Sequence, residues 1–233
     1  MAGVTPRLIV ALDTPSWEGA TALVERLGDG CDFYKVGSEL FTAEGPEAVR
    51  RLRERGKDVF LDLKLHDIPN TVKRSARSAA ALGARLLTVH ASGGEAMVAA
   101  AVEGAGAACG VLAVTVLTSL DAGALSVAWG RTVEDVRAEV LRLADLARAA
   151  GAHGIVCGGD EAAAVRARHG AALALLVPGV RLAGGAEHDQ ARVVTPRAAV
   201  EAGARYLVLG RAVTEAADPH AALETVRAEV EGA

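Results

Sequence analysis

VFLDLKLHDIPN, residues 59–70, is the stretch from which the rest of the chain is read. A β-strand sends alternate side chains to opposite faces, so Leu61, Leu63 and Leu65 share one face while Asp62, Lys64 and His66 share the other, with Asp67 just beyond. An unpaired ion in a low-dielectric interior costs several kcal/mol, roughly, so the charged face must meet counter-charges, a ligand or a watered pocket. A structural ion pair between Lys64 and Asp62 or Asp67 is one way to satisfy it. Pro69 follows at once and suits a first helical turn, which sets Asp67 where it would act as N-cap or ligand. The charges therefore stand at the carboxyl end of a strand, where α/β proteins place their chemistry.

Outward from this stretch, apolar β-rich runs recur at 8–13, 33–37, 59–65, 86–91, 110–118, 154–159, 173–180 and 206–210. Ala-, Glu- and Arg-rich segments of helical pattern separate them, and Gly ends many of these. Eight short apolar strands alternating with amphipathic helices imply a parallel sheet covered by helices, and in this length they predict an α/β fold of the (β/α)8 TIM-barrel type. No linker interrupts residues 1–233, so a single barrel domain is expected. At the strand ends stand Asp13, Lys35, the Asp62, Lys64 and Asp67 group, His90, Thr118 with Ser119, Pro178 to Arg181, and Gly210 with Arg211. Loops after the seventh and eighth strands of such barrels commonly hold phosphate, and GRAVTEA from 210 supplies Gly for close approach, Arg211 for a bidentate grip and a short helix. The Gly-rich loop from Arg181 past Gln190 reads as a lid, with Thr195 and Pro196 opening the next helix; an unstructured surface loop is the alternative. A second long connection, 118–131, could cover the other end of a ligand.

Composition narrows the classes. A hydrophobic share of 51% fits a folded globule, while a net charge of -4 and 3% aromatic residues leave neither a basic field nor stacking platforms for nucleic acid. Cys31, Cys109 and Cys157 are odd in number and widely spaced, which argues against a disulfide framework or zinc site and suits a reducing cytoplasm. No run approaches the length of a membrane span or signal-peptide core. Lysine is scarce at Lys35, Lys57, Lys64 and Lys73, and Asn70 and Gln190 are the sole residues of their types, so Lys35, Lys64 and Asn70 near strand ends stand out.

These motifs resemble the orotidine 5′-phosphate decarboxylase family, whose members make UMP in pyrimidine synthesis. The resemblance runs through ALD at 11–13, YKVG at 34–37, DLKLHDIPNT at 62–71, TVLTS at 115–119, PGVR at 178–181 with DQ at 189–190, and GR at 210–211. It implies that Lys64 is the proton donor, that Asp62 and Asp67 complete a charged array with Lys35, and that Asp67 serves the neighbouring subunit of a homodimer with shared active sites. It further implies that Asp13, Lys35 and Thr71 hold the ribose, that Thr118 and Ser119 approach the pyrimidine, and that Arg181, Gln190 and Arg211 bind phosphate, with Pro178 and Gly210 beside them. The substrate would be orotidine 5′-monophosphate, and neither metal nor organic cofactor is implied. Related barrels of the hexulose-phosphate synthase and ketogulonate-phosphate decarboxylase kind share a DxKxxD strand but use a divalent metal, and a non-catalytic phosphosugar-binding barrel is the third reading. His66, on the charged face, is read as a packed or hydrogen-bonded histidine, and neither it nor His90 is counted among the catalytic residues.

Overall fold

The computed structural model describes residues 5–181 and 194–232. The strands are β1 (Arg7–Leu12), β2 (Phe33–Gly37), β3 (Asp58–Leu65), β4 (Leu86–His90), β5 (Gly110–Val114), β6 (Gly154–Val156), β7 (Ala174–Val177) and β8 (Tyr206–Leu209). They pair in chain order, all parallel, and β8 returns to β1 to close the barrel that the alternation predicted. Around it run α1 (Trp17–Leu27), α2 (Ser38–Glu44), α3 (Pro46–Glu54), α4 (Pro69–Ala81), α5 (Glu95–Ala105), α6 (Ala122–Trp129), α7 (Val136–Ala149), α8 (Gly159–His169), α9 (Pro196–Glu201), α10 (Arg211–Thr214) and α11 (Pro219–Glu231).

The period-two pattern divides the core in two. Ile9, Ala11, Phe33, Phe60, Leu86, Leu112, Leu176, Tyr206 and Val208 point inward and fill the lower barrel, whereas Val10, Leu12, Tyr34, Val36, Leu61, Leu87, Leu175 and Leu207 point outward against the helices. Both faces of every strand are thereby covered, and this is why the runs read as nearly continuous apolar sequence. Helix ends follow their sequence signals: Ser16, Asp121, Thr195 and Asp218 accept from backbone N–H groups of their first turns, and Pro46, Pro69, Pro196 and Pro219 each occupy a first-turn position. α4 and α5 lie so close that a Cβ on Gly104 would stand 2.1 Å from the carbonyl oxygen of Lys73.

Three strand ends differ from the expected limits. β5 stops at Val114; the Thr115 N–H and hydroxyl still reach the Val156 carbonyl of β6, and residues 116–118 lie beyond the strand. β7 stops at Val177, because Pro178 has no N–H to continue the ladder. β6 spans only Gly154–Val156, and α8 follows from Gly159. Asp67 is not the N-cap of α4. That position is Ile68, without a capping side chain, and Asp67 Oδ1 accepts from the Ile68 N–H at 2.6 Å.

β3 is also less regular than simple alternation supposes. Leu61 pairs with Leu87 but Leu65 pairs with Val89, so four steps along β3 match two along β4, and Lys64 takes a φ of 49° inside this bulge. The faces survive the irregularity: Asp62 and Lys64 point into the barrel, while Leu63 and Leu65 pack against the outer core.

Candidate active site

Asp13 follows β1, Lys35 lies in β2 and Asp62 and Lys64 in β3, and the inward face of adjacent parallel strands brings all four to the carboxyl-terminal mouth. Lys35 Nζ lies 2.6 Å from Asp13 Oδ1 and 3.8 Å from Asp62 Oδ2, and Lys64 Nζ lies 2.8 Å from the same Asp62 oxygen. The result is a chain of alternating charge, Asp13 to Lys35 to Asp62 to Lys64, in which each carboxylate faces an ammonium. Burial deepens toward the middle: the Lys35 and Asp62 side chains are 11% and 12% exposed, Lys64 39% and Asp13 57%. Gly37 makes room for this, since a Cβ there would sit 2.8 Å from Lys35 Nζ and 3.0 Å from Asp13 Oδ1.

The array forms one wall of a cavity of about 730 Å³, a size suited to a small-molecule ligand. Thr118, Pro178, Gly179, Arg181, Gly210 and Arg211 line its other sides. Arg181 is buried, its Nε has no hydrogen-bond partner among the described residues, and its NH1 donates to the Val180 carbonyl at 3.0 Å. Burial and the neighbouring Arg211 charge hold this guanidinium below its usual range, with Glu215 acting the other way. Two neighbouring cations lining one cavity, one of them buried, make a site for an anion.

The cavity thus gathers Asp13, Lys35, Asp62, Lys64, Thr118, Pro178, Arg181, Gly210 and Arg211. It does not gather Asp67, Thr71 or Ser119, which are exposed and absent from its lining. Gln190, and with it the middle of the expected lid, lies outside the described residues. His66 and His90 lie with ring centroids 5.4 Å apart and planes tilted by 36°, beside the array. Burial first, then the His66 and Lys64 charges, lower the His90 pKa, against an opposing pull from Asp62.

Sequence reading overlooked Thr88. It is fully buried on β4, its hydroxyl donates to Asp62 Oδ1 at 2.8 Å, and it accepts the Lys64 N–H at 2.9 Å. The available signal was a lone hydroxyl at an inward position of LLTVH, next to the charged strand. Thr14, Arg26 and Glu215 also line the cavity without having been singled out.

Taken over its whole length, the chain is similar to a group of proteins already known. Over 222 residues the chain is 55% identical to the protein named orotidine 5′-phosphate decarboxylase from Anaeromyxobacter sp. (strain K), covering 95% of this chain and 97% of that one. Identity to the protein of the same name from Halorhodospira halophila is 50% over 237 residues, covering 98% and 97%. The crystal structure of orotidine 5′-phosphate decarboxylase from Lactobacillus acidophilus superposes with a TM-score of 0.86 at 37% identity, over 97% of this chain and 99% of that one. With residues 6–226 matching throughout, the chain belongs to the orotidine 5′-phosphate decarboxylase / HUMPS family.

Proposed function

We propose that this protein decarboxylates orotidine 5′-monophosphate to UMP and carbon dioxide, without a cofactor, in de novo pyrimidine biosynthesis. The observation that carries the reading is the alternating Asp13, Lys35, Asp62, Lys64 chain facing a cavity whose far end holds Arg181 and Arg211. Phosphate at the two guanidiniums would orient the nucleotide, with Asp13 and Lys35 at the ribose and Thr118 near the pyrimidine. The bond from C6 to the carboxylate breaks, its electron pair stays on C6, and carbon dioxide leaves. The Lys64 ammonium stabilises that charge and transfers a proton to C6, then regains one from solvent. Asp62, 2.8 Å from Lys64 Nζ, sets a negative charge beside the departing carboxylate, so charge moving toward Lys64 in the transition state is favoured over the ground state.

Metal-dependent sugar-phosphate enzymes on related barrels are the rival reading, but here each array carboxylate already has a lysine ammonium within 2.6 or 2.8 Å. The relatives at 55% and 50% identity carry the decarboxylase name. We further read the protein as a cytoplasmic homodimer. Its three cysteines are buried and form no disulfide, and among the described residues no helix is long and apolar enough to cross a membrane. His66 to Thr71 form a continuous exposed run directly after β3, from which Asp67 and Thr71 would reach the site of a second subunit. The test is turnover of orotidine 5′-monophosphate by purified protein in EDTA, expected to proceed and to be lost in Lys64→Ala. Chelator-sensitive turnover restored by magnesium, or full activity in Lys64→Ala, would overturn the reading.

A further inference from the structure

We propose that Thr88 is the positioning residue of the charged array, holding Asp62 and Lys64 in register through one buried hydroxyl. The inference rests on the decarboxylase reading for its kinetic consequence, and on geometry alone for its structural one. In a regular parallel pair the Lys64 N–H would meet a β4 carbonyl. The bulge between Leu61 and Leu65 removes that partner, and the left-handed turn at Lys64 aims its N–H at the side chain of the β4 residue between Leu87 and Val89. That residue is Thr88, with no exposed surface, and its Oγ1 accepts the N–H at 2.9 Å.

A hydroxyl has one proton to donate, and Thr88 gives it to Asp62 Oδ1 at 2.8 Å. Once Oδ1 is engaged, the carboxylate cannot rotate freely. Its Oδ2 is left for Lys64 at 2.8 Å and Lys35 at 3.8 Å. One side chain therefore sets both the backbone from which Lys64 springs and the carboxylate that Lys64 faces. Serine would preserve this arrangement, whereas valine, of similar shape, would leave a buried N–H and a buried carboxylate oxygen without their partner.

The experiment compares wild type with Thr88→Val, Thr88→Ser and Thr88→Cys in the intact protein. It reads kcat and KM for orotidine 5′-monophosphate, together with lysine side-chain NMR in the absence of substrate. With four lysines in the chain, each signal can be assigned by single Lys→Arg changes. Thr88→Val is expected to lower kcat about ten- to a hundredfold, the scale of hydrogen bonds to charged groups, with KM within about threefold because Thr88 touches no phosphate or ribose group. The Lys64 signal should move, while Lys57 and Lys73, bonded to the Gly28 and Cys31 carbonyls and to Glu103, should not. Thr88→Ser should restore kcat to within about threefold and return the signal. If Thr88→Val does not fold, as judged by circular dichroism, Thr88→Cys takes its place, because a thiol is a poor donor.

Wild-type kcat and an unmoved Lys64 signal in Thr88→Val or Thr88→Cys would overturn the proposal. A Thr88→Ser chain as impaired as Thr88→Val would overturn it too, since packing of the methyl would then be the cause, and so would a loss confined to KM. If wild-type protein does not decarboxylate the nucleotide, the proposed function fails by itself, and the Lys64 signal alone decides the role of Thr88.

Discussion

Arg211 and Arg181 show how single residues acquire meaning from position. Each is an ordinary arginine in the sequence, yet both line the end of one cavity, and Arg181 is only 9% exposed. Charge-assisted hydrogen bonds contribute about 1.5 to 3 kcal/mol each, so Arg211→Ala should lower kcat/KM for orotidine 5′-monophosphate by roughly ten- to a hundredfold. Remote binding energy can also be used to order the array, so part of the loss belongs in kcat. Orotidine, which lacks the phosphate, makes the decisive comparison: wild type should be slow on it and Arg211→Ala nearly equal to wild type. An equal slowing on both substrates would assign Arg211 to the fold or the pyrimidine end.

At the scale of the element, β3 holds strain at its functional tip. Lys64 is the one non-glycine residue with positive φ among the described residues, at 49°. For an L-residue the left-handed region costs roughly 1 to 2 kcal/mol, which the bulge and the Thr88 hydroxyl compel β3 to accept. Lys64→Ala and Lys64→Gly should both abolish decarboxylation. In urea unfolding, however, the glycine chain should be the more stable by roughly 1 kcal/mol, opposite to the usual ranking in a strand. The reverse order would show that the backbone at 64 is relaxed. Strain in this place fits an element whose lower half, Val59 to Leu61, is ordinary core, and whose upper half gives up regular pairing to present charge.

For the whole molecule, the barrel separates stability from chemistry by its two ends. At the end away from the cavity, His153 Nε2 meets the Tyr206 hydroxyl at 3.1 Å. Burial first, then the Arg205 and Arg85 charges, lower its pKa. The folded chain then binds fewer protons at this site than the unfolded chain does. The associated stability is present above the ordinary histidine value of about 6.5 and is lost as pH falls through the lower folded value. Unfolding free energy should therefore decline from about pH 7.5 to about pH 5.5, by at most about 1.4 kcal/mol per pH unit from one histidine, and less steeply in His153→Gln. An unchanged slope in His153→Gln would assign the effect elsewhere, His90 being lowered in the same direction. At the cavity end, the exposed Asp67 gives the test of a shared site. Mixing Lys64→Ala with Asp67→Ala chains should restore activity, because one site of each heterodimer would then be intact. No recovery despite demonstrated subunit exchange would return Asp67 to its own chain's site.

The barrel itself was legible in the sequence because its cause is local: period-two apolar runs, helical repeats and Pro or Gly punctuation recur eight times, and closure in chain order follows from parallel pairing. Asp13, Lys35, Asp62 and Lys64 could be named together because strand ends in such a barrel share one mouth. Strand limits at Val114 and Val177 were harder to read, since apolar residues continue past both and the end of pairing is set by the neighbouring strands and, after Val177, by the missing N–H of Pro178. The bulge in β3 and the role of Thr88 were decided by tertiary structure alone. Register between two strands depends on how their side chains pack around the barrel, and a hydroxyl 24 positions away from Lys64 has no local pattern that announces its partner.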